Sequence, residues 1–433
     1  MGLFFLIQKK QLHLNNDPRI ISVHILTKVL LKNQNLKEEF DAQVSCLNKR
    51  DRAFAKNLVY GVLRIKQSID VSIEKYYQKS YKKLSEKHKN IFRIGIYQID
   101  RMNSVPNYAS VNTTVEIAKK ESLKFSKRVN AILMNFIRNK DSLQKSSKDL
   151  TFNHPSLLIK QWQDDYTNRQ ISSLCKWNDS IPTVWFRTNK VKLKQIKKDK
   201  SVVVEQHPDI ADYISFNDTK YAIDHFLKKD LIDVQSPSSG LVFKIMNISK
   251  NDVVIDACSA PGGKAKYIES MMDSSNQLHL NDVSPSRYLR LKKDFKSNKV
   301  FITCKDAAAD SFPVADKILL DVPCSSSGTI QKNPDIKWKK NNLDKINLLQ
   351  FKILKNMSKF LNKNGVIVYS TCSINKKENF DIIEKFLKSD NSFKLEDVSN
   401  YINSKYVDGK GCLSIFPPKH NLEGMFAARL VKL

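Results

Sequence analysis

The sequence predicts an α/β domain built on a parallel sheet, preceded by a small mixed segment and an all-helical region. Two patterns carry that prediction. Apolar residues recur at helical spacing through roughly the first third of the chain, and from about residue 236 short apolar runs alternate with helical stretches. A third observation agrees: the residues with unusual chemistry fall where the apolar runs end, the edge at which open α/β sheets bind ligands.

In chain order, the GLFFLI run at the start is six residues long and is followed by QKK. It has neither the length nor the cleavage pattern of a signal peptide or membrane span, so a cytoplasmic protein is expected. From about Pro18 to Lys140 the helical spacing runs through Val23, Leu26 and Val29, then Phe54, Leu58, Val62 and Ile65, then Phe92, Ile96 and Ile99, then Val111 and Val115. A last helix carries Val129, Ile132, Leu133, Phe136 and Ile137 on one face. The basic cluster Lys119, Lys120, Lys124, Lys127 and Arg128 just before it is read either as an RNA contact or as a solvated face.

The polar run DSLQKSSKD at 141–149 is expected to be a linker. Residues 151–235 mix helical and strand patterns (HPSLLIKQW, PTVWFRTN, VVVEQHPD) and are expected to form a small α/β subdomain. The expected domains are therefore 1–145, helical; 146–235, small α/β with linker; and 236–433, the main α/β domain. In the last of these DVVIDACSA, QLHLND, VFITCKD, ADKILLDVP and GVIVYSTCS read as five buried strands. NLLQFKILKNMSKFL, with Leu349, Ile353, Met357 and Phe360 aligned, reads as a helix between the last two.

The chain carries 73 Lys and Arg against 44 Asp and Glu, a formal charge of +29. That surplus favours a polyanionic partner, nucleic acid before an anionic membrane, although an AT-rich coding sequence would also enrich lysine. Residues 1–150 hold 29 basic and 13 acidic residues, so the surplus is somewhat concentrated there. Seven cysteines without a CxxC pair fit neither a disulfide framework nor a zinc site, and reduced thiols with no metal are expected.

The first chemical motif is DACSAPGGK, Asp256 to Lys264, a strand running into Gly262-Gly263 and then a helix. Only 11 of 433 residues are glycine, so an adjacent pair at a strand end is informative. Glycine there lets backbone approach a ligand and leaves helix N-terminal N–H groups available. A P-loop is excluded, since GxxxxGK[ST] needs glycine where Cys258 stands and a hydroxyl where Ala265 stands; GxGxxG is absent as well. The next strands end near Asp282, Asp306 and Asp321, which brings three carboxylates to the same sheet edge and points to an adenosine-type site. The fourth and fifth strands deliver Cys324, in LDVPCSSSG, and Cys372, in YSTCS. Either alone reads as a small buried residue, but two at neighbouring strand ends, one beside a carboxylate, suggest thiolate attack on an unsaturated ring carbon.

With DACSAPGGK, LLDVPCSSSGTIQKNPDIKW, LLQFKIL and VIVYSTCSINKKEN in this order, residues 252–433 resemble the RNA 5-methylcytosine methyltransferases. YGVLR at Tyr60 to Arg64, VNAIL at Val129 to Leu133 and HPSLLIKQW at His154 to Trp162 extend the resemblance, over nearly the full length, to the bacterial small-subunit ribosomal RNA branch. In that branch the helical N-terminal domain is similar to the NusB antitermination factor. The resemblance implies a Rossmann-like, class I S-adenosylmethionine-dependent fold and 16S ribosomal RNA as partner, with cytosine 967 as target. It also implies RNA binding by the two N-terminal regions and a monomer without membrane or metal.

By the same resemblance, Cys258, Ser259, Ala260, Pro261, Gly262, Gly263 and Lys264 form the cofactor loop. Asp282 lies at the ribose, Arg287 beside the cofactor, Asp306 near the adenine and Asp321 near both the methionine end and the base. Cys372 is implied as nucleophile, Cys324 as the group that assists product release, Asp321 as the contact to N3 of the base, and Lys264 as an auxiliary.

Several positions depart from the family pattern. Ser259 replaces an alanine, Ala265-Lys266-Tyr267 replace Thr-Thr-His, Ser236 stands where an acidic residue is usual, and EGMFAARL replaces a DGFF-type ending, with an antiparallel last strand still expected. Two alternatives stay open on the residues alone. One is a DNA cytosine methyltransferase with Cys324 as nucleophile; the other is a non-catalytic RNA-binding assembly factor.

Overall fold

The computed structural model describes residues 17–77, 81–139 and 151–433. The GLFFLI run and the 141–149 linker lie outside the described residues. Two compact units result, one of residues up to Ile181 together with Ile330–Lys340, the other of Pro182–Thr329 together with Asn341–Leu433.

The first unit is helical: α1 (Pro18–Lys32), α2 (Leu36–Gln43), α3 (Lys49–Arg64), α4 (Lys66–Tyr76), α5 (Glu86–Arg101), α6 (Asn107–Lys119), α7 (Leu123–Arg138), α8 (Ser156–Gln163) and α9 (Asn168–Asp179). Polar caps set many of the starts: the side chains of Asp17, Asn35, Asn48, Ser85 and Ser122 accept from N–H groups of the first turns of α1, α2, α3, α5 and α7. Thr167 and Gln170 form a reciprocal capping box on α9. The expected apolar faces are the core, with Val23, Leu26, Leu58, Val62, Phe92, Ile96, Val129 and Leu133 all buried. Of the basic cluster, Lys119, Lys120, Lys124 and Lys127 are exposed, and Arg128 is half-buried with a guanidinium N–H 3.5 Å from the Tyr77 hydroxyl.

The segment Ile330–Lys340 belongs to this unit although its neighbours on both sides belong to the other. Lys337 is wholly buried there and donates to Asp179 at 2.5 Å and to the carbonyls of Arg64 and Asn153 at 3.0 and 3.3 Å. The Trp338 indole N–H donates to the Leu63 carbonyl at 2.8 Å. The motif read as continuous from Leu319 to Trp338 is thus divided after Thr329. Residues 151–181 are likewise two helices of the helical unit, whereas the sequence groups them with the small α/β segment.

The second unit opens with a small antiparallel sheet of β1 (Phe186–Arg187), β2 (Val204–Gln206), β3 (Tyr213–Phe216) and β4 (Asp233–Val234), in the order β2-β3-β1-β4. It carries α10 (Lys190–Ile196) and α11 (Thr219–His225) over its own core of Phe186, Ile196, Ile214 and Ala222. Then come α12 (Pro237–Met246), β5 (Val253–Asp256), α13 (Gly263–Met271), β6 (Gln277–Asn281), α14 (Pro285–Asp294), β7 (Val300–Thr303) and β8 (Ala315–Asp321). The chain ends with α15 (Leu343–Met357), β9 (Leu361–Thr371), α16 (Phe380–Ser389), β10 (Phe393–Glu396), β11 (Leu413–Ile415), α17 (Pro417–His420) and β12 (Met425–Lys432).

Strand order in the large sheet is β10-β12-β9-β8-β5-β6-β7, with β11 paired to β12. β5 to β9 pair in parallel, and β12 runs antiparallel to β9, as expected for the last strand. Alternate residues divide between the two faces: Val254, Leu319 and Val368 pack with α12 to α14, and Ile255, Ile318, Ile367 and Tyr369 with α15 and α16. The chain winds outward from β5 to β7 and returns to β8, so the order reverses between β5 and β8, and the crevice beyond their carboxyl ends is the expected ligand site.

Two expectations are corrected. VFITCKD is an edge strand, not a buried one, because among the described residues β7 pairs only with β6, and Phe301 is exposed. In α15 Leu349 is exposed and Gln350 takes the inward place. The amide of Gln350 is used inside, donating to the Pro323 carbonyl at 3.0 Å and to Glu378 at 3.3 Å, and that use outweighs the polarity of the residue.

Candidate active site

The crevice is lined from both sides of the β5/β8 reversal. β5 ends in Asp256, and the loop that follows reaches α13 through a cis Ala260–Pro261 peptide and Gly262 at φ +97°. Ser259 is stitched to the next strand: its hydroxyl donates to the Asp256 carbonyl at 2.7 Å and accepts from the Asn281 N–H at 3.1 Å. The serine that departs from the family pattern therefore fits and adds two hydrogen bonds. Ala265 and Tyr267 are buried, with Tyr267 against Phe243 and the Arg187 guanidinium 4.4 Å over its ring, so they serve packing. Ser236 is buried without a cap hydrogen bond, and the neighbouring Gln235 instead extends its amide N–H to the Gly263 carbonyl at 3.4 Å.

Four carboxylates converge on this loop. Burial pushes the Cys258 thiol well above its usual range, and Asp256, Asp321, Asp282 and Asp306 add to that in decreasing order. Cys258 is accordingly held as a neutral thiol. Asp256 is itself fully buried, has one oxygen without a hydrogen-bond partner, and is pushed up to about 7, by burial first and by Asp321 second. Asp282 is buried and accepts from the Ser284 N–H at 2.9 Å; Asp306 is exposed and accepts from the Ala308 N–H at 2.9 Å. Arg287 is exposed on α14.

The residues fit an adenosine-type cofactor. A Cβ placed on Gly263 would meet nothing within 4 Å, so the space over the first turn of α13 is open, and the orphaned Asp256 oxygen lies buried at the end of the adjoining strand.

Across the reversal Lys264 and Asp321 form an ion pair. Burial would discharge the Lys264 ammonium, but Asp321 outweighs it and holds the lysine above its usual value. Asp321 also accepts from the Ser370 hydroxyl at 3.0 Å. Three residues past Asp321, the sulfur of Cys324 lies 3.3 Å from that of Cys372. The two thiols do not share a proton evenly. A hydrogen bond from Cys324 lowers Cys372 below the usual thiol value, while the same contact, with burial, drives Cys324 well above it. Of the two, Cys372 is the one whose ionised form the contact favours, with Cys324 as its donor.

Two residues that sequence reasoning missed hold this arrangement. Glu378, wholly buried, accepts from the Ser325 N–H at 2.7 Å, the Ser325 hydroxyl at 2.5 Å and the Ser373 hydroxyl at 2.6 Å. Ser326 stands between the thiols, its hydroxyl oxygen 3.3 Å from Cys372 and 3.9 Å from Cys324. The signal for Glu378 was its place in INKKEN, just past the second cysteine.

The family described as "16S rRNA methyltransferase RsmB/F" matches residues 243–431, and the NusB family matches residues 16–138. A probable ribosomal RNA small subunit methyltransferase B of Synechocystis sp. is 27% identical, covering 95% of this chain and 100% of the relative. The ribosomal RNA small subunit methyltransferase B of Shewanella oneidensis is 28% identical, covering 96% and 99%. Among solved structures, PH0851 matches with a TM-score of 0.73 at 22% identity, covering 96% of this chain and 99% of that one. NSun6 from Pyrococcus horikoshii matches with a TM-score of 0.55 at 19% identity, covering 64% and 98%. Both share the fold. Residues 243–431 thus form an RsmB/F-family methyltransferase region, with a NusB-family region ahead of it.

Proposed function

We propose that this S-adenosylmethionine-dependent ribosomal RNA methyltransferase acts on C5 of a cytosine in small-subunit RNA through a covalent adduct at Cys372. The observation that carries the reading is the 3.3 Å thiol pair beside the glycine loop, a contact that lowers Cys372 below the usual thiol value. The relatives named for the small ribosomal subunit support that RNA as substrate.

The loop from Cys258 to Lys264, with Asp282, Asp306 and Arg287, would hold the cofactor. Bound there, S-adenosylmethionine supplies an electrophilic methyl group on a sulfonium. The chain's own residues make C5 reactive. C5 of cytosine is a poor nucleophile until the Cys372 thiolate adds at C6; Asp321, held by Lys264 and Ser370, relays a proton to N3, and the ring becomes an enamine. Because its thiol is kept protonated, Cys324 is unsuited to attack. Once Cys372 is bonded to the base, the Cys324 thiol no longer has a thiolate to donate to and can release its proton to solvent. After C5 carries the methyl group, the Cys324 thiolate, or water beside it, takes the C5 proton, the C–H electron pair re-forms the C5–C6 double bond, and Cys372 leaves as thiolate. An RNA base reaches such a pocket unpaired or flipped out.

The test uses Cys372→Ala and Cys324→Ala variants with labelled cofactor and deproteinised small-subunit RNA. Cys372→Ala is expected to transfer no methyl, and Cys324→Ala to accumulate a covalent protein–RNA adduct, with bisulfite sequencing reading the position, cytosine 967 by family resemblance. An adduct that requires Cys324 would favour the DNA-type mechanism. No transfer by the unaltered chain to any RNA would favour the assembly-factor reading.

A further inference from the structure

We infer that Ser326 is a positioning residue whose hydroxyl fixes the thiolate of the pair on Cys372 rather than on Cys324. The inference rests on the reading of Cys372 as nucleophile and deepens it. Ser326 touches both sulfurs with different groups. Its hydroxyl lies 3.3 Å from Cys372 and 3.9 Å from Cys324, and its main-chain N–H, which favours ionised Cys324, is outweighed there by the Cys372 contact and burial. A thiolate has no proton to give, so when Cys372 is ionised the hydroxyl must donate to it; when Cys372 is protonated the direction reverses. The ionised Cys372 thus has two side-chain donors, the Cys324 thiol and the Ser326 hydroxyl, and hydrogen bonds to a charged acceptor are the strong ones.

The backbone shows that the hydroxyl is held there rather than resting there. Ser326 has φ +59°, the left-handed region that glycine enters freely and an L side chain enters at a cost. Every neighbour in the loop is pinned. Ser325 is bound through Glu378, the Ser326 carbonyl accepts from the Thr329 N–H at 2.9 Å and its hydroxyl at 3.0 Å, and Ser327 accepts from the Ile374 N–H at 3.1 Å. The Gly328 N–H donates to the carbonyl of Cys372 itself at 3.0 Å. The loop therefore presents the hydroxyl of Ser326 to the same residue whose backbone it grips.

The experiment alkylates the full-length chain with iodoacetamide across a pH series and reads Cys372 and Cys324 as separate peptides by mass spectrometry. It is run on the unaltered protein and on Ser326→Ala and Ser326→Gly. Both variants are expected to raise the alkylation midpoint of Cys372 by about one pH unit. The acid limb of the methyl-transfer pH profile should move by the same amount, with cofactor affinity unchanged. The glycine variant relieves backbone strain while removing the hydroxyl, so equal shifts in both exclude a purely structural effect. No shift in either, or a shift in the alanine variant alone, overturns the inference while leaving Cys372 as nucleophile. A lower midpoint at Cys324 than at Cys372 in the unaltered chain overturns the underlying reading instead.

Discussion

Glu378 accepts both the main-chain N–H and the hydroxyl of Ser325, at 2.7 and 2.5 Å, and so fastens the loop after β8 to the turn after β9. Each of those segments delivers one thiol. The same carboxylate accepts from Ser373, next to Cys372, and from Gln350 of α15. One buried side chain therefore sets the spacing of the two sulfurs without touching either.

Replacing Glu378 by alanine leaves the Ser325 N–H buried without an acceptor and the Ser325 and Ser373 hydroxyls with only neighbouring serine oxygens to donate to, at a cost of about 3 kcal/mol. Methyl transfer should fall at least tenfold. The loss is expected in kcat rather than in the KM for cofactor, because Glu378 is in the thiol turn rather than in the glycine loop. Glu378→Gln, which keeps the shape and one acceptor, should recover part of both. A Glu378→Ala protein that unfolds at the wild-type urea concentration would show that the clamp has no energetic role.

Both thiol loops were legible in the sequence because cysteines at strand ends, a Gly-Gly pair and successive aspartates stand out in a chain with 11 glycines. The sheet was legible because near-continuous apolar runs of strand length have few other solutions. The residues that organise the site were not. Glu378 sits in KKEN, where a charged side chain reads as solvated, and its burial depends on Ser325, 53 positions earlier. Ser326 is the middle of three serines, and nothing local says which hydroxyl faces a sulfur. The passage of 330–340 into the helical unit depends on partners such as Leu63 and Arg64, far back in the chain. Leu349 failed for a related reason, since helical periodicity does not register an amide that Glu378 and Pro323 hold inside.

Asp256 gives a pH signature. It is held up to about 7 in the folded chain against 3.8 for the ordinary side chain, so between those values the folded state keeps a proton that the unfolded state has released. Its favourable contribution is complete below about pH 4 and is lost as pH rises through about 7, with a slope of at most about 1.4 kcal/mol per pH unit. Asp256→Asn removes that slope. Urea unfolding of both proteins without added cofactor, from pH 4.5 to 8.5, should show the variant gaining on the wild type up to about pH 7 and running parallel above it. Parallel curves over the whole range would mean that Asp256 ionises normally.

Gly262 and Gly263 separate folding from ligand binding within a single loop. Gly262, at φ +97°, would place a Cβ 3.2 Å from both Leu291 and Phe295, so Gly262→Ala combines backbone strain with crowding and should lower stability by about 1–2 kcal/mol. Gly263 opens α13, and its Cβ would enter open space, so Gly263→Ala should leave unfolding unchanged or raise stability by about 0.5 kcal/mol. That open space is also where a ligand would approach the N–H groups at the start of α13. Calorimetric titration with S-adenosylhomocysteine should therefore show binding by Gly263→Ala weakened at least tenfold while its thermal midpoint stays at or above the wild type. A Gly263→Ala protein that binds as tightly as the wild type would place the cofactor elsewhere, because among the described residues no atom lies within 4 Å of that methyl group.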